Sequence, residues 1–170
     1  MFIPEQILKN AVTAIPSPTD LAVVFCGREQ LVHNSALPTF ADLPSLGIGR
    51  TFLAGTLSDG RRIFGLEQNA LPDEFEKMAS RAIMATADAD MQYGIARARE
   101  MAIWRSRHRL CGACGASLRA SDTDLAFVCP VCGAQYYPQI APAIIVAITK
   151  DDGKSILLAH NRRFGAVYSL

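Results

Sequence analysis

Two closely spaced pairs of cysteines constrain the fold of this chain more than any other feature. Cys111 and Cys114 form the first Cys-x-x-Cys pair, Cys129 and Cys132 form the second, and 14 residues separate the pairs. This spacing is typical of a zinc ribbon, in which each pair makes a tight turn whose two sulfurs converge. Because four thiolates leave no coordination position for water or substrate, the sequence predicts a structural zinc ion and not a catalytic one.

The segment between the pairs, residues 116–128, is too short to bury a core of its own. Metal binding, which contributes on the order of 10–16 kcal/mol in small zinc peptides, is therefore expected to supply most of its folding energy. Iron also accepts four thiolates in a tetrahedron and remains an alternative. A thiol redox role is less favoured, because one ion explains both pairs. Cys26 lies in an apolar run, which predicts a small buried side chain and not a reactive thiol.

Composition limits the class of protein. Half of the 170 residues are apolar, so the chain has enough apolar side chains for one domain or two small ones. We expect a soluble, cytoplasmic protein without membrane association, because the sequence shows no secretory signal and no apolar run near the roughly 18 residues that span a bilayer. Residues 1–96 carry 7 basic and 11 acidic side chains, whereas residues 97–170 carry 10 and 5. A basic half is expected in a protein that binds a nucleotide or nucleic acid. A solvated basic face next to an acidic neighbouring domain explains it equally well.

The first part of the chain has the pattern of strands and the second that of helices. Four apolar runs predict antiparallel strands, at residues 21–27, 30–33, 51–57 and 61–66. Asp59 and Gly60, between the last two runs, predict a hairpin turn. From Pro72 onward Phe75 and Met78 begin a helical spacing, which predicts two helices or one helix broken near residues 86–90, with Asp88 and Asp90 as N-caps.

The last part of the chain begins a new apolar pattern. Residues 141–149 are apolar on both faces, as expected for a central strand buried in a sheet. Residues 151–154 then predict a turn, and residues 155–160 predict the hairpin partner of that strand.

Basic residues flank the cysteine pairs: Arg105, Arg107, His108, Arg109 and Arg119. Such a cluster is able to bind phosphates. No aromatic side chains are interleaved with the arginines to stack on bases, so a solvated helix end explains the cluster equally well.

The residues that follow the ribbon carry a resemblance to a known family. The sequence YYPQIAPAIIVAI at residues 136–148, directly after a four-cysteine ribbon, resembles the NADH pyrophosphatases, zinc-containing members of the Nudix hydrolase superfamily. The resemblance is close over residues 105–170 and looser over the first 100. It implies an α+β fold with a β-rich amino-terminal domain, one or two connecting helices, a four-cysteine zinc ribbon and the opening strands of a Nudix-type α/β/α domain.

The expected division of the chain follows from this resemblance. Residues 1–72 form the β-rich domain, residues 73–108 the helical connector, residues 109–137 the ribbon, and residues 138–170 the first strands of a truncated Nudix domain.

The resemblance also implies an activity. Family members cleave the pyrophosphate of NADH or NAD into mononucleotides, some remove NAD caps from RNA, and they act as homodimers with Mg or Mn held by the glutamates of the Nudix box. That box is missing here, since no glutamate follows Glu100. No catalytic residue can therefore be assigned, and we expect these residues to be inactive alone, as the amino-terminal portion of a longer enzyme. The alternative is a non-catalytic zinc-ribbon module that binds nucleic acid or protein.

Two residues are candidate substrate contacts by resemblance. Tyr137, the second tyrosine of the motif, is placed to stack on nicotinamide or adenine, and Ile145 to line the same pocket. The alternative is that both are core residues where the ribbon meets the sheet. Arg162 and Arg163 either face the pyrophosphate or belong to a solvated loop.

Overall fold

A computed structural model describes residues 1–43, 50–139, 141–150 and 153–169. Two groups of residues form separate compact units, Met1–Pro138 and Gln139–Leu170. Three parts of the sequence predictions lie outside the described residues: Ile140 of the tyrosine motif, Asp151 and Asp152 of the predicted turn, and Leu170.

The described residues of the first unit form a six-stranded mixed sheet, three α-helices and a small three-stranded sheet. Its elements in chain order are β1 (Ile3–Pro4), α1 (Leu8–Thr13), β2 (Leu21–Cys26), β3 (Glu29–Val32), β4 (Phe52–Thr56), β5 (Arg62–Glu67), β6 (Glu76–Ala79), α2 (Ser80–Thr86), α3 (Ala89–Arg107), β7 (Arg119–Ala120), β8 (Phe127–Val128) and β9 (Gln135–Tyr136). The large sheet has the order β1-β4-β5-β2-β3-β6, and the small sheet has the order β7-β8-β9. The predicted α+β fold class is confirmed.

Each of the four apolar runs forms a strand, but not every pair of strands is antiparallel. β4 and β5 form the predicted hairpin, with Gly60 in its turn at φ +87°. β2 and β5 instead pair in parallel, from Leu21 opposite Ile63 to Phe25 opposite Glu67. The prediction of antiparallel pairing is wrong here because the direction of a pair depends on the crossover between distant strands, which the apolar runs do not encode.

The helical part is broken where the sequence predicts. α2 ends at Thr86, and α3 begins after Asp88, whose carboxylate accepts a hydrogen bond of 2.8 Å from the Met91 N–H as an N-cap. The helical pattern predicted to start at Phe75 is wrong in its first turn, because Glu76–Ala79 forms β6, which pairs with β3 at the edge of the sheet. This segment has too few apolar residues to distinguish the helical spacing from the spacing of a strand. Pairing with the open edge of β3 therefore decides that it forms a strand.

The long helix α3 packs across one face of the large sheet. Buried residues of both elements meet there, including Val23 and Ile63 of the sheet and Ile95 and Ala98 of the helix. Gly65 of β5 permits the closest approach, because a Cβ atom at this position would lie 2.0 Å from the Ala98 carbonyl oxygen. The opposite face of the sheet carries its own smaller apolar cluster around Leu31 and Leu66.

An ion pair joins the start of β2 to β5. The Asp20 carboxylate is buried and accepts hydrogen bonds from the Arg62 guanidinium and the Ser17 N–H. Burial acts to raise the pKa of Asp20, but these hydrogen bonds and the charge of Arg62 outweigh it, so the pKa lies below its ordinary value. A lowered carboxyl pKa stabilises the fold above the unfolded pKa of about 3.9, and this contribution is lost as the pH falls through the folded pKa.

We therefore expect Asp20→Asn to lower the free energy of unfolding by about 1–3 kcal/mol at pH 7. The difference between the variant and the unsubstituted chain should shrink as the pH is lowered below about 4, where Asp20 becomes protonated first in the unfolded state and then in the folded state. Urea unfolding followed over this pH range measures the difference. A difference in free energy of unfolding that stays constant down to pH 2 would show that the Asp20 charge does not contribute to stability.

The described residues of the second unit form little regular structure. Its strands are β10 (Ala159–His160) and β11 (Tyr168–Ser169), which pair with each other. Residues 141–148 form no regular strand, contrary to the prediction, and only an isolated bridge joins Thr149 to Ile156. An apolar strand needs neighbouring strands and a covering layer, and the described residues of this unit bury none of these side chains. Of the described helices of the whole chain, none is long and apolar enough to cross a membrane.

Candidate metal centre

Two tight turns bring the four cysteines to one end of the small sheet. In each turn the backbone folds back onto the first cysteine: the Gly115 N–H donates to the Cys111 carbonyl at 2.8 Å, and the Gly133 N–H donates to the Cys129 carbonyl at 3.0 Å. Both glycines have positive φ, +74° and +75°, in the left-handed region that other residues rarely adopt. The two turns are therefore built alike.

The four sulfurs have the spacing of a tetrahedral thiolate site. All lie within 4.8 Å of one another, and the Cys111–Cys132 and Cys114–Cys129 sulfur pairs are 3.6 and 3.5 Å apart. Tetrahedral zinc with Zn–S bonds of about 2.3 Å places its sulfurs about 3.8 Å apart. The donor set and its spacing therefore fit a structural zinc ion. Among the described residues no other group of three or more cysteine, histidine or acidic side chains has metal-binding geometry.

The pKa values of the four thiols are shifted by their hydrogen bonds and by the neighbouring sulfurs. A hydrogen bond with the Tyr136 hydroxyl lowers the pKa of Cys111 to about 6, and the Cys132 N–H is the main cause of the lowered pKa of Cys129. The Ala116 N–H acts to lower the pKa of Cys114, but the neighbouring sulfurs and burial raise it to about 12. The Cys114 thiol therefore keeps its proton at neutral pH in the absence of a cation. A divalent ion replaces that proton, so metal binding releases it.

Tyr136 is a residue of the metal centre that the sequence analysis did not single out. Its hydroxyl accepts a hydrogen bond of 2.9 Å from the Gly112 N–H and lies 3.2 Å from the Cys111 sulfur, to which it is free to donate. Hydrogen bonds of this kind orient a metal ligand and stabilise its charge. The resemblance implied a role for Tyr137 instead. No local pattern distinguishes the two tyrosines, because the contact between Tyr136 and Cys111 spans 25 positions of the chain.

We expect Tyr136→Phe to weaken zinc binding about 10- to 100-fold, because the variant keeps the ring but loses both hydrogen bonds. Competition with a chromophoric chelator measures the affinity. Tyr137→Phe is the matched control, since that hydroxyl is exposed and donates to the Gln135 side chain at 3.0 Å, away from the cysteines. Equal zinc affinity of the two variants would remove Tyr136 from the metal centre.

The ribbon packs on the sheet domain through a mixed apolar cluster. Phe127 of β8 contacts Trp104 near the end of α3, with ring centroids 4.8 Å apart, and Leu8 of α1 joins the same cluster. The Leu8 and Lys9 N–H groups donate to carbonyls of the ribbon segment between β7 and β8, at 3.0 and 3.1 Å. The ribbon is thus integrated with the first unit through side chains and backbone.

The other predicted site residues lie in exposed positions. Tyr137 is 50 % exposed in the first unit, and Ile145 is 81 % exposed in the second. Neither is therefore a core residue of its own unit. Arg162 and Arg163 are exposed in a 3-10 turn of the second unit.

Known proteins that resemble this chain share its zinc ribbon. Residues 106–137 match the NADH pyrophosphatase zinc ribbon domain. The NAD-capped RNA hydrolase NudC of Stutzerimonas stutzeri (strain A1501) is 33 % identical over 160 residues, which cover 87 % of this chain and 55 % of the relative. NudC of Pseudomonas aeruginosa (strain LESB58) is 35 % identical over 114 residues, covering 65 % and 40 % of the two chains. NudC of Pectobacterium carotovorum subsp. carotovorum (strain PC1) is 43 % identical over 94 residues, covering 55 % and 35 %.

The chain spans about half, or less, of the length of the curated relatives that it matches. Similarity to the Stutzerimonas relative nevertheless extends over most of the chain and is not confined to the ribbon. The chain thus carries the zinc ribbon domain of the NADH pyrophosphatases and is a relative of the NAD-capped RNA hydrolases.

Proposed function

We propose that this chain is the amino-terminal portion of a hydrolase that cleaves the pyrophosphate of NADH or NAD into mononucleotides, and that of NAD-capped RNA into nicotinamide mononucleotide and 5′-phosphorylated RNA. One observation carries the proposal: similarity to a NAD-capped RNA hydrolase covers 87 % of the chain. In this proposal the sheet domain and ribbon support the reaction and do not perform it.

The zinc centre acts as a brace. Cys111, Cys114, Cys129 and Cys132 would fill the coordination shell of a zinc ion, which would then supply folding energy and no reactive water. Its place beside the Trp104 and Phe127 contact supports a role in fixing the ribbon against α3.

We assign no residue of this chain to binding the catalytic Mg or Mn. Family catalysis requires glutamates of the Nudix box, and the sequence contains no glutamate after Glu100. The four thiolates are soft ligands that disfavour these hard cations. We therefore expect the 170 residues to be inactive alone, and no catalytic step is derived from them.

The proposal gives the exposed residues after the ribbon a role in substrate binding. Tyr137 offers an aromatic face that is half exposed, which suits stacking on nicotinamide or adenine, and Ile145 offers an exposed apolar side chain. The proposal also includes a homodimer and a cytoplasmic location, where reducing conditions keep the ribbon cysteines available for metal.

The reading frame beyond the codon of Leu170 tests the proposal. We expect it to encode a Nudix box, and the encoded protein to hydrolyse NADH and NAD-capped RNA with Mn, with a lowered kcat/KM in Tyr137→Ala. A stop codon directly after Leu170 would contradict the enzyme and favour the non-catalytic zinc-ribbon module that binds nucleic acid or protein.

A further inference from the structure

A cavity of about 300 Å³ lies in the first unit, where the end of α3 and the ribbon meet the sheet. Its wall brings together residues that are far apart in the sequence. Arg50 precedes β4, Glu67 ends β5, Arg105 lies in the last turn of α3, Arg109 leads into the ribbon, and Phe127 belongs to β8. The cavity is therefore a product of the tertiary fold.

Positive charge predominates in this cavity. Three arginines line it against one carboxylate, that of Glu67. In the part of the chain that the structure describes, none of these three guanidinium groups forms an ion pair, whereas the nearby Arg119 pairs with Asp122 at 3.2 Å. Arg50 and Arg105 line the same cavity, and burial, then the like charge of Arg50, lower the pKa of Arg105.

The polar groups of the cavity are held in place by the fold. A guanidinium nitrogen of Arg105 donates to the Thr51 carbonyl at 2.7 Å, and the Ser106 hydroxyl donates to the Glu67 carboxylate at 2.6 Å. His108 donates from Nδ1 to the Trp104 carbonyl at 2.7 Å, which fixes its ring and leaves Nε2 as an acceptor in the neutral imidazole. Fixed donors bind an anion with less loss of conformational freedom.

Complementing the dipole of α3 does not explain this arrangement. Basic side chains stabilise the carboxyl end of a helix, which accounts for Arg105 and Arg107 in its last turn. The helix dipole does not account for Arg50, which comes from a different segment. It also does not explain why Arg105 lines the cavity and Arg107 does not. The convergence of Arg50, Arg105 and Arg109 points to a bound anion.

We propose that this cavity binds a phosphate group of a nucleotide, either free or within an RNA chain. Guanidinium groups match phosphate oxygens with paired hydrogen bonds, and a cavity of about 300 Å³ has room for one phosphate and part of its nucleoside. The inference does not depend on the hydrolase proposed above, because binding to this chain requires no turnover.

Titration calorimetry of the zinc-loaded chain tests the site with three probes: inorganic phosphate, AMP, and a short RNA oligonucleotide without a terminal phosphate. Arg50→Gln and Arg109→Gln should each weaken binding about tenfold, as expected for the loss of a charge-assisted hydrogen bond. Arg107→Gln is the matched control, because it removes an equal charge from the same helix end outside the cavity, and should change affinity less than about twofold. Glu67→Gln should strengthen binding, because it removes the only carboxylate among the residues that the structure places in the wall.

The probes separate the two sources of phosphate. AMP binding more tightly than the oligonucleotide assigns the site to a free nucleotide, and the reverse order assigns it to the RNA backbone. No binding of any probe at millimolar concentration would overturn the proposal, as would equal losses in Arg107→Gln and Arg50→Gln. Zinc content and Trp104 fluorescence confirm that each variant is folded, and Arg50→Gln tests the site without altering the ribbon.

Discussion

Removal of zinc should unfold the ribbon and shift the fluorescence of Trp104 to longer wavelength. Trp104 is the single tryptophan of the sequence, is 8 % exposed, and packs against Phe127 of the ribbon. The ribbon has few apolar contacts of its own, so it loses a stabilisation that is on the order of 10–16 kcal/mol in small zinc peptides. Once the ribbon unfolds, water reaches the indole ring.

Chelation followed by fluorescence and metal analysis measures this effect. Re-addition of zinc should restore the original spectrum, whereas magnesium should not, because thiolates are poor ligands for magnesium. Cys114→Ser should show the shifted spectrum without a chelator. Cys26→Ser is the matched control and should behave as the unsubstituted chain, since Cys26 bonds to the Asn69 carbonyl away from the cluster. A metal-free chain with an unchanged spectrum would contradict the role of zinc as a brace.

Gly65→Ala should destabilise the first unit by about 3 kcal/mol or more. A Cβ atom at Gly65 would lie 2.0 Å from the carbonyl oxygen of Ala98, in the backbone of α3. No side-chain rotation relieves this overlap, so the helix must move away from the sheet and lose contacts along its buried face. Urea unfolding of the zinc-loaded chain measures the loss.

Gly94→Ala is the control for this effect. It adds the same methyl group to α3, but the nearest atoms are the ends of the Ile63 and Leu57 side chains, at 3.2 and 3.3 Å. Those side chains can shift, and alanine favours the helix by about 1 kcal/mol over glycine. Gly94→Ala should therefore change the free energy of unfolding by less than about 1 kcal/mol. Similar values for the two variants would show that α3 is not held as closely as Gly65 requires.

Local signals in the sequence predicted much of the first unit and the metal centre. Asp59 and Gly60 predicted their hairpin, and Asp88 predicted the start of α3, because turns and caps depend on neighbouring residues. The Cys-x-x-Cys spacing predicted the convergent sulfurs of each pair for the same reason. Each of these features is determined within a few residues, so the pattern is visible in the sequence.

Features that depend on distant residues were not predictable in this way. The parallel pairing of β2 with β5 follows from which strands meet in the folded sheet, and so does the pairing of β3 with β6, a segment whose sequence has a helical pattern. Arg50 joins Arg105 and Arg109 only through the tertiary fold. Tyr136 reaches Cys111 across 25 positions of the chain, so no local pattern indicates that contact.

The central claim is that this chain braces a reaction that its own residues do not perform. Product formation by the zinc-loaded 170-residue chain, incubated with NADH and Mn and followed by chromatography of the mononucleotides, tests it directly. The account predicts no mononucleotide above the protein-free control, because no glutamate follows Glu100. Hydrolysis at the rate of a complete Nudix enzyme would contradict the claim and would require catalytic residues within these 170.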